Sequence, residues 1–277
     1  MKNTGRNVAL RFAALRFAPC ALILIIILPV SLGAEILGNP GMQVGEKNLF
    51  VGIEYTRSIQ EFDIDTDGID TSSDKILLKI TTGLSDWFDI FLRCGGANLK
   101  LDYKASEKSA DIVTKNFDSD FVFGFGGGTR IRLLNFIDSG TRVFFQGGGF
   151  LYKADDSIQW DKVDGTTLTK DREMKWADIF AGLGIAKRLD YVDLTFGVGF
   201  SQIWWEISDV DKISSGTSIS RIPQKTRDSF EINNPVFGFI GLDFVLPYEY
   251  RLSAQAGIRN MDDAEFSVAI SQGLEKD

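Results

Sequence analysis

Histidine is absent from this chain of 277 residues. Ser–His and Cys–His nucleophilic catalysis therefore lack their base. Zinc sites built on His and Cys are excluded with them. Any enzyme would have to work with carboxylates, lysine or tyrosine. Cysteine is scarce: Cys20 and Cys94 are the two present. Cys20 falls in an N-terminal segment read below as removable, which leaves Cys94 single and without an intrachain disulfide. Basic residues are outnumbered, 30 Lys and Arg against 38 Asp and Glu, for a net charge of −8. An acidic chain without basic clusters excludes nucleic acid as the expected partner. Beyond the N-terminal segment, no apolar run approaches the ~20 residues of a helical membrane span.

The N-terminus is patterned as a secretory signal. Lys2, Arg6, Arg11 and Arg16 precede an apolar run at 18–30, and Ser31, Leu32, Gly33 and Ala34 supply small residues for cleavage. The competing reading is a single membrane anchor, but the run is short for a helical span. We therefore expect a signal peptide over 1–34 and one domain over 35–277.

What is abundant is alternation. In the stretch 175–207, Val192, Leu194, Phe196, Val198 and Phe200 share one parity. Asp193, Thr195, Gly197, Gly199 and Ser201 share the other. A period of two is a strand with one apolar face and one polar or small face. Residues 175–188 repeat the pattern, and a turn at 188–191 joins the two strands as a hairpin. A run of about ten alternating residues suits a tilted strand crossing a bilayer.

The same reading places strands at 48–59, 75–84, 87–103, 119–133, 141–153, 234–246, 249–260 and from Glu265 onward. Gly95 and Gly96 suggest a bulge in the third. The fifth has mixed parity, with Phe144, Phe145, Phe150 and Leu151 on both faces. Polar stretches 60–74, 104–118, 154–173 and 208–233 read as loops. Long and short connections then alternate almost throughout, as in barrels with short turns on one side of a membrane and long loops on the other. The predicted fold is all-β: a closed, antiparallel, up-and-down transmembrane β-barrel of about ten strands, within a range of eight to twelve.

A soluble secreted β-barrel that binds an apolar ligand inside is the rival architecture, with its apolar face inward. Three features favour the membrane. The polar face is rich in glycine, as at Gly124, Gly126 and Gly128, which suits a crowded lumen. Trp87, Tyr152, Trp176, Tyr191, Trp204, Trp205, Tyr248 and Tyr250 lie near strand ends, as interfacial girdles do. A secretory signal opens the chain.

Residues 121–128 (FVFGFGGG) and 194–200 (LTFGVGF) are the most typical segments. On them, and on the strand pattern across roughly 35–277, the chain resembles the bacterial outer-membrane β-barrel superfamily, which includes the outer-membrane-protein-A-like and porin-like small barrels. The resemblance implies residence in the bacterial outer membrane. It also implies lipid and lipopolysaccharide around the barrel, assembly by the barrel-assembly machinery, and long loops available to an extracellular ligand. Enzymes of that superfamily, such as the omptin proteases and the phospholipase A type, use a catalytic histidine that this chain lacks. No catalytic residue is therefore assigned.

The lumen parity holds Glu54, Asp89, Asp178, Asp193, Asp243 and Glu265. It also holds Lys75, Lys79, Arg93, Arg130, Arg132, Arg251 and Arg259. Facing carboxylates could in principle cleave glycosides without histidine, but mixed signs in a narrow barrel most simply form ion pairs that fill it. One stretch has metal spacing. Asp63, Asp65 and Asp67, then Gly68 and Asp74, follow the pattern of a calcium loop. It departs in carrying Asp70 where an apolar residue is usual, and no helices flank it. A solvated acidic hairpin is the alternative, and no other cofactor is expected.

The functional expectation is a non-enzymatic barrel with a structural, surface-recognition, adhesion or narrow-channel role. A soluble ligand-binding barrel is the first alternative and a carboxylate enzyme in the lumen the second. The membrane reading predicts that the protein resists carbonate extraction and migrates faster unheated than heated in detergent gels. Release into the carbonate supernatant, with heat-independent mobility, would be the mark of the soluble form.

Overall fold

The computed structural model describes residues 48–64, 67–103, 117–161, 167–215, 218–222, 227–231, 235–259 and 263–274. The expected signal, 1–34, lies outside the described residues. In chain order the strands are β1 (Leu49–Ile64), β2 (Asp67–Ser85), β3 (Phe88–Ala97), β4 (Lys100–Tyr103), β5 (Phe117–Asp118), β6 (Val122–Phe136) and β7 (Thr141–Asp161). They continue with β8 (Thr167–Leu189), β9 (Val192–Ser215), β10 (Ser218–Ile222), β11 (Arg227–Glu231), β12 (Val236–Val245), β13 (Tyr250–Ile258) and β14 (Ala264–Leu274).

Ten of these are barrel staves: β1, β2, β3, β6, β7, β8, β9, β12, β13 and β14. Each pairs antiparallel with its neighbours in that order, and β14 returns to β1, with Leu49 opposite Leu274 and Ile59 opposite Ala264. The sheet is closed, so the barrel has no free edge. The expected up-and-down barrel of ten strands is the observed fold.

Orientation follows parity. Phe196 and Val198 are 48% and 62% exposed on the outer surface, whereas Thr195 is fully buried inside. Ile53, Leu78, Leu92, Phe125, Leu183 and Ile240 are likewise exposed and apolar. A surface this greasy is stable only against lipid. The soluble alternative required these side chains inside, and they are not.

The apolar band has visible limits. At one end, the outward rung Leu151–Ala177–Trp204 is followed by Lys153–Lys175–Glu206. Lys153 Nζ lies 2.7 Å from Glu173 and Lys175 Nζ 3.8 Å from Glu206, so this rung is ionic. At the other end, Trp87, Ile137, Tyr191 and Tyr248 are exposed at the short turns. From Val192 to Trp204 along β9, a tilted strand rises roughly 30 Å, the depth of a bilayer core.

Several local expectations are corrected. The stretches 60–74, 154–173 and 208–233 are not simply loops. β1 and β2 stay paired up to Ile64–Asp67, and β7, β8 and β9 run on to Asp161, Thr167 and Ser215. Once two antiparallel strands are in register, each rung satisfies the next without any need for hydrophobic alternation. The third strand is interrupted at Asn98 and Leu99, where Ser73 Oγ donates to the Asn98 carbonyl at 2.7 Å. Register is continuous through Gly95 and Gly96, and the irregularities lie at Gly83/Ser85 and Arg132/Leu134. Tyr152, Trp176 and Trp205 are buried in the lumen, not set in a girdle. Each follows the parity of a lumen-facing neighbour, as Trp176 follows Asp178, so proximity to a strand end misassigned them.

Short turns close the other end. Between β12 and β13, the Tyr250 N–H donates to the Pro247 carbonyl across Tyr248 and Glu249, which have φ of 59° and 60°. Two successive positive φ values make a hairpin turn of the primed type, which prefers Asn and Gly. Neither residue is glycine, and a left-handed non-glycine residue costs about 1 kcal/mol. Glu249→Gly should therefore raise unfolding stability by about 0.5 kcal/mol, after glycine's greater freedom in the unfolded chain is deducted. Urea titration in micelles measures it; a lower midpoint would contradict the turn assignment.

Candidate functional site

The lumen is the first place to look for chemistry, because a strand must turn its polar parity there. Glu54, Asp89, Asp178, Asp193, Asp243 and Glu265 are all buried, as are Lys75, Lys79, Arg93, Arg130 and Arg259. Arg132 and Arg251 are half-buried on the same parity. The structure therefore brings inside every lumen charge read from the sequence.

Ion pairs hold Glu54, Asp178 and Asp193. Arg93 Nη1 donates to Glu54 Oε1 at 3.1 Å, and Lys79 Nζ lies 3.4 Å from Glu54 Oε2. The Lys75 Nζ donates to Asp178 at 3.3 Å and sits 5.2 Å from the centre of the Phe150 ring. Asp193 accepts from Arg142 Nη2 at 2.7 Å and from Arg188 Nε at 2.9 Å. Arg259 lies 3.8 Å from Asp263 and also donates to Ser201. A carboxylate already held by a cation in a low-dielectric interior is not poised as a general acid.

Aromatic rings fill the space between these pairs. Towards the loops, Leu77, Phe150, Tyr152, Met174, Trp176 and Trp205 form one buried cluster. Towards the turns, Phe91, Phe144, Phe180, Phe237 and Phe239 form another. The glycines of the inner face are their seats. A Cβ on Gly128 would stand 2.6 Å from Phe91 Cζ, one on Gly148 2.8 Å from Phe180 Cζ, and one on Gly199 2.6 Å from Phe237 Cε1. Those separations are shorter than carbon–carbon contact permits, so only glycine leaves room for the rings.

The inner Phe residues and Arg142 escaped the sequence reading. Alternation held the signal: Phe237 and Phe239 share parity with Asp243, and Phe91 lies between Asp89 and Arg93 on that face. A large apolar residue on the polar parity of a strand marks a ring that fills a lumen.

Asp65 of the calcium stretch, together with the side chains of Asp63 and Asp67, lies outside the described residues. Asp74 is described. It accepts from the Tyr55 hydroxyl at 2.6 Å and sits 3.7 Å from Arg57, its cross-strand neighbour. The ladder sets Asp63 opposite Gly68 and Asp74 opposite Arg57, six rungs apart on two extended strands. At the mouth of the loops, Lys100 donates to Asp118 at 2.9 Å, and that carboxylate raises the ammonium's pKa above its ordinary value.

A closed sheet with a lipid-facing exterior and a packed lumen defines a transmembrane β-barrel of the bacterial outer-membrane type. Comparison with solved structures finds barrels of this kind. The translocator domain of the autotransporter NalP from Neisseria meningitidis matches at a TM-score of 0.46 and 8% identity, over 96% of this chain and 98% of that one. The outer-membrane protease OmpT from Escherichia coli matches at 0.40 and 9%, over 84% and 97%. The attachment invasion locus protein Ail of Yersinia pestis, in complex with a heparin analogue, matches at 0.31 and 12%, over 82% and 96%. No protein-family model and no curated protein matches the sequence.

The ion pairs make a direct prediction. Glu54→Gln leaves Arg93 and Lys79 without their shared counter-charge and should destabilise the barrel by about 3 kcal/mol. Lys153→Gln, at an exposed pair, should cost less than about 0.5 kcal/mol. Equal losses in denaturant titrations would show that the lumen pairs are hydrated like the surface ones.

Proposed function

We propose that this protein is a non-enzymatic outer-membrane barrel whose lumen is a packed core and whose work is done by the sheet it raises outside the membrane. The observation that carries this reading is the mismatch between a filled interior and staves that outrun the bilayer. β8 continues eight residues past Lys175 to Thr167, a further rise of roughly 20 Å at barrel tilt. β9 does likewise and carries β10 and β11 on its outer part. Opposite them, β12, β13 and β14 are only 10, 9 and 11 residues long.

A tall wall of strands on one side of a low rim suits recognition of an extracellular ligand better than conduction. Lipopolysaccharide and the outer-membrane lipids would contact the apolar band and the ionic rung above it. The barrel-assembly machinery would insert the chain. Paired lumen carboxylates favour the non-enzymatic reading over a carboxylate enzyme.

Planar-bilayer recording tests it. The wild-type barrel should show no steady conductance, and Phe91→Ala combined with Phe239→Ala should admit ions by removing two rings from the lumen. Steady wild-type conductance steps would replace this reading with the narrow channel.

A further inference from the structure

A cavity at the turn-side mouth of the lumen carries an inference beyond the recognition role. Its volume is about 30 Å³, and its polar lining consists of Lys79, Arg130, Arg251, Thr81, Ser253 and Ser271. No carboxylate lines it. Three cations and three hydroxyls converge on this space, which opens towards the mouth.

Across the described lumen the two signs nearly balance, but the acidic partners stand back from this cavity. Glu54 holds Lys79 at 3.4 Å and does not enter the lining. A cluster of cations around one carboxylate-free space in a low-dielectric interior favours an anion there.

The lining also has the shape of an anion site. Arg251 stacks on Phe50 with its guanidinium carbon 3.8 Å from the ring centre, which fixes the plane of its N–H donors. Arg130 and Lys79 reach the cavity from neighbouring parts of the wall and are themselves buried. The hydroxyls can rotate to donate. Phe50, Thr81, Arg251 and Ser271 all lie within a few residues of the short turns, so the site is reached from the periplasmic mouth.

The geometry points to a binding site for a small tetrahedral oxyanion, of the phosphate class, at the periplasmic mouth of the barrel. The anion gives Lys79, Arg130 and Arg251 a shared counter-charge and ties β2, β6 and β13 together across the lumen. Bound there, it stabilises the fold by mass action.

Calorimetry on the folded barrel in micelles, titrating sodium phosphate against sodium chloride at matched ionic strength, tests the site. One saturable phosphate site with a dissociation constant on the order of 1 mM or tighter is expected. Arg251→Gln should weaken it roughly tenfold or more, and Lys153→Gln should leave it unchanged. Where Arg251→Gln fails to give the heat-modifiable folded band, Ser271→Ala takes its place, again with weakened binding expected. No saturable phosphate binding up to about 10 mM overturns the site. So does undiminished affinity in the folded cavity variant, and so does binding of micellar phosphatidylglycerol without binding of free phosphate.

Discussion

The closing of β14 onto β1 is the constraint from which the rest follows. Within a bilayer core no water is available to a backbone N–H or carbonyl. Each must find its partner in the chain, and an open sheet would leave two rows unmet. Closure from the Leu49–Leu274 rung to the Ile59–Ala264 rung removes those rows. Once the sheet is a cylinder, every residue faces lipid or lumen, and its chemistry is decided by parity. Phe196 faces lipid because Thr195 cannot.

Closure also fixes the space inside. Ten strands enclose a lumen too wide for aliphatic side chains alone and too narrow for a useful aqueous pore when lined by rings. Here the interior is divided by function of the wall. β1, β2 and β3 supply Glu54, Lys75, Lys79 and Arg93 to the ion pairs. The wall from β6 to β9 supplies glycines, against which the ring tips of Phe91, Phe144, Phe180 and Phe237 press. A methyl group on those glycines would displace rings that are already in contact with their neighbours. Packing density, not pore diameter, is what this lumen has been built to satisfy. The same density makes each unpaired charge matter, because no water layer screens it.

The membrane-spanning part of this architecture was legible in the sequence, because two solvents wrote it. Lipid on one face and packed polar groups on the other impose a period of two, and Val192 to Ser201 shows it without exception. The lumen charges from Glu54 to Glu265, Arg142 and Asp263 excepted, could be placed on that basis alone. The inner rings were not legible in the same way. Phe237 reads as apolar whichever face it takes, and only its match to Asp243 and Gly241 reveals the inner one. Tyr152 and Trp205 were misassigned for the converse reason. Interfacial aromatics are a statistical habit of position along a strand, whereas facing is set by parity, and parity overrules it.

The extensions of β7, β8 and β9 show where that signal ends. Past the rung Lys153–Lys175–Glu206 the strands have left the bilayer, so lipid no longer imposes alternation. What persists is the register, since each antiparallel rung places the next pair within hydrogen-bonding reach. A polar stretch read as a loop can therefore continue as strand, held by the ladder beneath it. The same change of solvent explains why the rim can be uneven. Inside the bilayer every stave must reach full height, because a short one would leave its neighbours' backbone bare in lipid. Outside it, water satisfies the edge, and β12 to β14 can stop while β8 and β9 rise. The membrane thus dictates the cylinder and leaves the tall wall unconstrained, which is where a barrel with a packed interior has room to vary its surface.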